Sequence, residues 1–116
     1  MDKASERELA KSVGKAIARR REQAGYTQEE VAEKLGLGRG AIARVEQGIA
    51  IPTIVRLVEL ADLFQCRVDE LLIEASTRQD DQAALVAQLI APLEAEDQRM
   101  LIDWVRAFAQ QFKEKG

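Results

Sequence analysis

The 116-residue sequence has no histidine and a single cysteine, Cys66. One cysteine cannot form a disulfide within the chain, which is typical of proteins from a reducing compartment. Histidine is the usual general base and a common metal ligand, and no cluster of cysteine or carboxylate residues at metal-ligand spacing replaces it. We therefore predict no catalytic site, no metal site and no cofactor, and we interpret Cys66 as a small buried apolar residue.

Long apolar runs are also missing. The longest, residues 83–93, is interrupted by Gln88 and Pro92 and is too short to cross a bilayer. The first residues are charged, so no signal peptide is predicted. We expect a cytoplasmic protein with no membrane partner.

Aromatic residues make up only 4% of the chain, and runs of β-branched residues are scarce. Alanine, leucine, glutamate, arginine and glutamine dominate instead, and these residues favour helices. With 47% apolar and 32% charged residues, the chain has the composition of a globular protein. These features predict an all-α fold.

The stretch from Thr27 to Gly48 predicts two short helices joined by a glycine-containing turn. Thr27 and Glu30 form a capping box at the start of the first helix. Gly36 stands where a helix ends in the left-handed conformation. The second helix is predicted over residues 39–47 and is ended by Gly48. The inward positions of the two helices are Val31, Ala32, Leu35, Ile42 and Val45.

Three further helices are predicted to enclose this pair, because two helices this short are not stable alone. The first runs over residues 5–24, opens at a capping box on Ser5 and Glu8, and buries Leu9, Val13 and Ile17. The fourth covers residues 54–64, and its broad apolar face predicts the most enclosed helix of the fold. The fifth covers residues 68–74. Together they predict a five-helix domain over residues 1–74.

A polar stretch, residues 75–81, is predicted to be a linker, and residues 82–116 a C-terminal helical hairpin. Its two helices cover residues 82–91 and 95–113, separated by Pro92. The second has a wide apolar face that needs a partner surface, and we predict that this segment holds two copies of the chain together. The residues of this predicted dimer contact are Leu101, Trp104, Val105, Phe108 and Phe112.

The net charge of −3 hides an uneven distribution. Residues 7–21 carry six basic side chains against one glutamate, and Arg39 and Arg44 lie in the same half. A local basic face attracts phosphate even on an acidic protein. At least one of Lys15, Arg19, Arg20 and Arg21, all in this run, is predicted to contact a DNA backbone.

Residues 12–72 resemble the helix-turn-helix domain of the Xre, Cro and phage-repressor family. The matching landmarks occur in every predicted helix of the domain and include Thr27-Gln28-Glu29-Glu30, Leu35-Gly36, Arg44-Val45-Glu46, Gly48 and Pro52. The resemblance implies a regulator that binds operator DNA as a dimer. Its motif corresponds to residues 28–47.

The resemblance also implies roles for single residues. Gln28 and Gln47 match positions that contact phosphate, and Gln28 also supports a base contact. Arg39, Gly40 and Arg44 match the family positions on the recognition helix that reach base edges. Arg21 and Glu46 match a pair that forms a salt bridge between the first and third helices in the family.

The sequence departs from the family at the start of the recognition helix, where Gly38, Gly40 and Ala41 replace the usual serine or threonine. Direct readout is then expected to depend on Arg39 and Arg44, with methyl contacts from Ala41 or Ala43 and a share of shape readout. Gln65 also stands where the family often has glycine, and backbone strain is expected there.

The sequence thus predicts a transcriptional regulator, with repression through a near-palindromic operator as the leading interpretation. Two alternatives remain open at this stage. One is a DNA-binding antitoxin, whose C-terminal hairpin binds a toxin as its protein partner. The other is an interaction adaptor with weakened DNA binding, suggested by the acidic net charge and the small residues of the third helix.

Overall fold

A computed structural model describes residues 1–115, so the last residue of the predicted segment 82–116 lies outside the described residues. The described chain is all-helical, with seven helices. Their bounds are α1 Lys3–Gln23, α2 Gln28–Lys34, α3 Ala41–Glu46, α4 Ile54–Phe64, α5 Val68–Ala75, α6 Gln79–Ile90 and α7 Ala95–Lys115. The chain divides into two compact units, residues 1–85 and 86–116.

The core of the first unit draws one fully buried side chain from each of its first five helices. These residues are Ile17, Val31, Ile42, Leu60 and Leu71. Close packing of this kind makes every helix depend on the others. The core therefore supports α2 and α3, which are too short to be stable in isolation.

Helix α1 begins earlier than predicted, and its inward face is rotated. Asp2 caps the helix by accepting a hydrogen bond from the Ser5 backbone amide at 2.7 Å, so the predicted cap at Ser5 is wrong. The side chain of Leu9 is exposed, whereas Ala10 is buried beside Val13. The predicted inward position at Leu9 is therefore also wrong.

Helix α4 has the predicted bounds, with Thr53 as its cap, but it is not the most enclosed helix. Leu60, Ala61 and Phe64 are buried, while Ile54 and Val58 are exposed. Neighbouring helices cover only one side of α4. Part of the broad apolar face of α4 consequently stays uncovered in the first unit.

The turn after α4 adopts a left-handed conformation at Gln65, with φ of 57°. Among the described residues, Gln65 is the only non-glycine with positive φ. This conformation costs about 1–2 kcal/mol for a residue with a Cβ atom. The position therefore carries the backbone strain expected where the family has glycine.

The segment between α5 and α6 is shorter than the predicted linker. Only residues 76–78 are non-helical, because Asp80 and Asp81 lie in the first turn of α6. Acidic side chains are favourable there, next to the positive end of the helix dipole. The Ser76 hydroxyl also hydrogen-bonds to the Asp81 carboxylate at 2.7 Å.

The second unit contains the end of α6 and all of α7. The Gln98 side chain donates to the carbonyl oxygens of Ile90 and Leu93, at 2.9 and 3.0 Å, which fixes the turn between the two helices. A packed hairpin stays a prediction. Among residues 1–115, no helix is both long enough and apolar enough to cross a membrane.

Candidate nucleic-acid interface

The turn between α2 and α3 determines where the third helix begins. Thr27 and Glu30 form the predicted capping box, with reciprocal hydrogen bonds of 3.1 and 3.0 Å. Gly36 and Gly40 both have positive φ, of 68° and 78°. Because Gly40 is left-handed, α3 starts at Ala41, two residues later than predicted. Gly48, with φ of 79°, follows the end of α3 as predicted.

The late start of α3 changes the position of Arg39. This residue lies in the turn before the helix, so its predicted place on the recognition helix, residues 39–47, is wrong. Arg44 is on α3, in its last turn. Both side chains are exposed, and within residues 1–115 neither forms an ion pair. Both guanidinium groups are therefore available to an external ligand.

Helix α3 has an apolar inner face and a small outer face. Ile42 and Val45 are buried, while Ala41 and Ala43 are partly exposed. Small outer side chains permit close approach of the helix backbone to a flat or grooved surface. This is the property that a helix needs to enter a DNA major groove, which is about 12 Å wide.

The predicted site residues fall on two sides of α3. A groove of about 340 Å³ between α2 and α3 brings together Gln28, Arg39, Gly40 and Ala43. On the other side, a groove of about 280 Å³ is lined by Ala41 and Arg44 and also by Thr53 and Arg56 at the start of α4. The outer surface of α3 is therefore flanked by a guanidinium group on each side.

Glu46 is the residue that fixes α3 to its neighbours. Its carboxylate accepts hydrogen bonds from Arg21 Nε at 2.7 Å and Arg21 Nη2 at 3.1 Å. It also accepts one from Gln28 Nε2 at 2.8 Å. A further bond from Arg21 Nη1 to the Tyr26 carbonyl, at 2.9 Å, connects the same guanidinium to the start of α2. The hydrogen bond with Glu46 raises the pKa of Arg21, although burial acts in the opposite direction.

Because Gln28 is bonded to Glu46, its amide is held at the junction of α2 and α3. The remaining amide hydrogen and carbonyl oxygen can still meet a ligand from this fixed position. Gln28 therefore lines the same groove as Arg39, and its amide is hydrogen-bonded to Glu46 of the Arg21–Glu46 pair.

Helix α1 crosses the end of α3 at very close range. A Cβ atom added to Gly14 would lie 2.4 Å from the Glu46 carbonyl oxygen, and one added to Gly48 would lie 2.8 Å from Lys11 Cγ. Lys11 and Lys15 are both exposed on this helix. The crossing therefore places an exposed basic side chain against the residue that follows Gln47.

Two residues of this surface were missed by sequence reasoning. Lys11 contacts the Gly48 turn, and Arg56 lines the same groove as Arg44. The basic run over residues 7–21 contained a signal for Lys11, but Arg56 lies outside it. Arg56 also pairs with Glu59 at 2.9 Å, an ordinary helical pattern that does not indicate a ligand.

The groove beside Arg39 also has an acidic edge. Glu29 and Glu33, on the exposed surface of α2, line it together with Arg39. Carboxylates repel phosphate but can accept a hydrogen bond from the amino group of cytosine. This edge is consequently suited to bases and poorly suited to the DNA backbone.

The comparisons with known proteins agree with this geometry. A profile of the family described as "Helix-turn-helix" matches residues 17–71. The HTH-type transcriptional regulator ImmR of Bacillus subtilis (strain 168) is 38% identical over 61 residues, which are 53% of this chain and 48% of ImmR. This chain thus spans about half the length of ImmR.

The match covers a larger share of two further relatives than of ImmR. The cryptic phage CTXphi transcriptional repressor RstR of Vibrio cholerae serotype O1 is 27% identical over 85 residues, which are 73% of this chain and 76% of RstR. The uncharacterized HTH-type transcriptional regulator y4dJ of Sinorhizobium fredii is 39% identical over 54 residues, or 47% of this chain and 70% of y4dJ.

No solved structure matches the chain significantly. The profile match, residues 17–71, contains the capping box, the glycine turn and the Arg21–Glu46 pair. The chain therefore belongs to the helix-turn-helix family of DNA-binding transcriptional regulators, of the Xre and phage-repressor type.

Proposed function

We propose that the chain represses transcription by binding a near-palindromic operator as a dimer, with α3 in the major groove of each half-site. The observation that carries this proposal is the outer surface of α3, where Ala41 and Ala43 are small and Arg44 is exposed without an ion pair among the described residues. An arginine in this position can donate two hydrogen bonds to guanine O6 and N7. RstR, a relative of which this chain covers 76%, is named as a transcriptional repressor.

Arg39 would read a second position from outside the helix. It lies in the turn before α3, beside Gln28 and Gly40. Gly40 carries no side chain and lets the backbone approach the DNA closely. In this arrangement the two arginines contact different base pairs.

Lys11, Lys15 and Gln47 would supply backbone contacts at the other end of α3. They lie on α1 and at the end of α3, where the two helices cross. Contacts with phosphate position the protein and make binding dependent on salt, but they carry no sequence information. The acidic net charge of the chain does not prevent this, because Lys11, Lys15, Arg39 and Arg44 form no ion pair among the described residues.

Dimerisation is assigned to α7, as the sequence predicts. Trp104, Val105, Phe108 and Phe112 are between 57% and 64% exposed, and Leu101 is partly exposed on the same face. The rings of Phe108 and Phe112 are 4.9 Å apart. An apolar stripe of this size is expected to pack against a second copy, as in other helical bundles.

A gel-shift experiment tests the proposal. Duplexes bound by the wild-type protein are first selected from random-sequence DNA, and Arg44→Ala is then titrated against the selected duplex. Loss of a bidentate contact costs about 1–3 kcal/mol, or roughly a 5- to 150-fold loss of affinity. Arg106→Ala is the matched control, because Arg106 is an exposed arginine of α7 outside the interface.

The proposal requires that Arg44→Ala weakens binding and relaxes the preferred sequence, while Arg106→Ala does neither. Equal affinity of the two variants would show that α3 is not the reading helix. Failure of the wild-type protein to select any duplex would favour the adaptor interpretation.

A further inference from the structure

The first two-thirds of α1 carry a row of basic side chains along one side of the helix. We call this row the basic ridge, and its members are Lys3, Arg7, Lys11 and Lys15. Each residue comes four positions after the previous one, so the side chains follow one another over about three turns, or about 18 Å. All four are exposed, and within residues 1–115 none forms an ion pair. The ridge is therefore a continuous positive surface.

The ridge passes the end of α3 and continues beyond it. Lys11 lies against Gly48, the residue that follows the C-cap of α3. Lys3 and Arg7 line a groove of about 220 Å³ between α1 and the loop that begins at Gly48, with Glu6 as the one acidic residue of its lining. The outer half of the ridge thus prolongs the row of backbone contacts proposed for Lys11 and its neighbours.

The spacing of the ridge is unfavourable for the helix that carries it. Like charges at positions i and i+4 destabilise a helix, and the ridge contains three such pairs. Lys3 is also the first residue of α1, where the positive end of the helix dipole repels a cation. A bound polyanion would relieve both kinds of repulsion. The pattern is therefore better explained by an anionic partner than by the stability of α1.

The shape of the ridge favours a linear polyanion over a small anion. Small anions bind in concave sites whose donors converge on one point, whereas the ridge residues form a row. Duplex DNA carries one negative charge per about 1.7 Å of its axis, so a row of about 18 Å can lie beside about five base pairs. The end of α3, from which the row extends, is the part of the chain where DNA is already proposed to bind.

We propose that Lys3 and Arg7, the outer half of the basic ridge, bind phosphates of DNA that adjoins the base pairs read by α3. The inference rests on the proposed function and deepens it, because the bound DNA is then longer than the part whose sequence is read. The whole ridge precedes residue 17, where the match to the helix-turn-helix profile begins. It therefore concerns a part of α1 that the profile match does not include.

Two duplexes of different length test the inference by gel shift. DNA bound by the wild-type protein is first selected from random sequences. One duplex is trimmed to a single block of base pairs that the selection fixes, and the other adds about five base pairs of arbitrary sequence to each end. The wild type should prefer the long duplex, with a slope of log K against log salt that is steeper by about 2, because Lys3 and Arg7 add two phosphate contacts. The preference should shrink about 10-fold between about 50 and about 200 mM salt.

Three double variants complete the experiment. Lys3→Gln with Arg7→Gln should remove the preference for the long duplex and bind the short duplex like wild type. Lys3→Arg with Arg7→Lys keeps both charges and should keep the preference. Arg99→Gln with Arg106→Gln is the matched control, because it removes the same charge from exposed positions of α7 and should also keep the preference.

The inference is overturned if the double glutamine variant of α1 keeps the wild-type slope on the long duplex, or if the α7 control loses as much of it. An equal loss on both duplexes would place Lys3 and Arg7 at the block read by α3 and would also overturn it. Arg44→Ala should weaken both duplexes alike, and this tests the proposed function separately. A wild-type protein that selects no duplex would overturn the proposed function and the inference with it.

Discussion

Arg21 and Glu46 form a two-bond ion pair between α1 and α3, with Nε–Oε2 and Nη2–Oε1 distances of 2.7 and 3.1 Å. Both side chains are largely buried, at 12% and 7% exposure. Gln28 donates to the same carboxylate. The position of α3 therefore depends on Glu46, whose carboxylate accepts hydrogen bonds from side chains of α1 and α2.

We expect Arg21→Met to destabilise the fold strongly. The substitution leaves the Glu46 carboxylate buried without its cation, and such a change costs about 3–5 kcal/mol. Urea unfolding followed by circular dichroism measures the loss. Arg21→Met with Glu46→Leu should recover much of the stability, because an apolar pair of similar volume needs no counter-ion.

If the double variant were no more stable than Arg21→Met alone, the cost would come from lost packing of the arginine side chain rather than from an unpaired carboxylate. The double variant should still bind DNA less well than wild type, since Gln28 would lose its hydrogen-bond acceptor.

Gly14 is expected to tolerate no side chain. Its added Cβ atom would lie 2.4 and 2.6 Å from the carbonyl oxygens of Glu46 and Val45, and both are backbone atoms. Gly14→Ala must then push α1 away from α3, at a cost of about 1–3 kcal/mol or more. Thermal unfolding and DNA affinity should both report the change.

Gly38→Ala is the control for Gly14→Ala. A Cβ atom at Gly38 meets nothing within 4 Å, and the residue lacks the positive φ of Gly36 and Gly40. Alanine there should be neutral or stabilising by up to about 1 kcal/mol, because it restricts the unfolded chain. A comparable loss in both variants would contradict the close crossing of α1 and α3.

Lys15→Gln should weaken DNA binding evenly across sequences. A lysine that contacts phosphate adds about one unit to the slope of log K against log salt, so its removal should lower that slope by about 1. Titration of selected and scrambled duplexes at several salt concentrations measures both effects. A change in sequence preference would instead place Lys15 at a base edge.

Phe108→Glu should shift the protein towards monomer. Phe108 is 63% exposed in the centre of the α7 stripe, and a carboxylate there would oppose burial against a second copy. Sedimentation velocity and the emission of Trp104, the only tryptophan, should both become independent of concentration. Ile102→Glu, at an exposed apolar position off the stripe, is the control.

Equal self-association of Phe108→Glu and wild type would remove α7 from the dimer contact. A wild-type protein that is monomeric and acquires a heterologous partner through α7 would support the antitoxin interpretation.

Much of the fold could be predicted because it depends on local signals. The capping box at Thr27, the cap at Thr53 and the glycine after α3 are short-range features, and the structure contains all three. The predicted inward residues Val31, Ile42 and Val45 are buried because helical periodicity identifies them directly.

The errors arose where a tertiary contact decides the outcome. Glycine is compatible with a helix or a turn, so only the folded structure shows that Gly40 is left-handed and that Arg39 precedes α3. The exposure of Ile54 and Val58 depends on which helices cover α4, and no local pattern in its sequence contains that information. The roles assigned to Arg39 and Arg44 stay predictions that the experiments above address.

The five fully buried side chains have a thermodynamic consequence for regulation. Ile42 anchors a helix of six residues whose order derives from the shared core rather than from its own propensity. We expect hydrogen exchange in α3 to occur only through global opening, together with Ile17 and Leu71. Helix α3 would then not unfold separately, and a ligand that melts it would have to unfold the shared core as well.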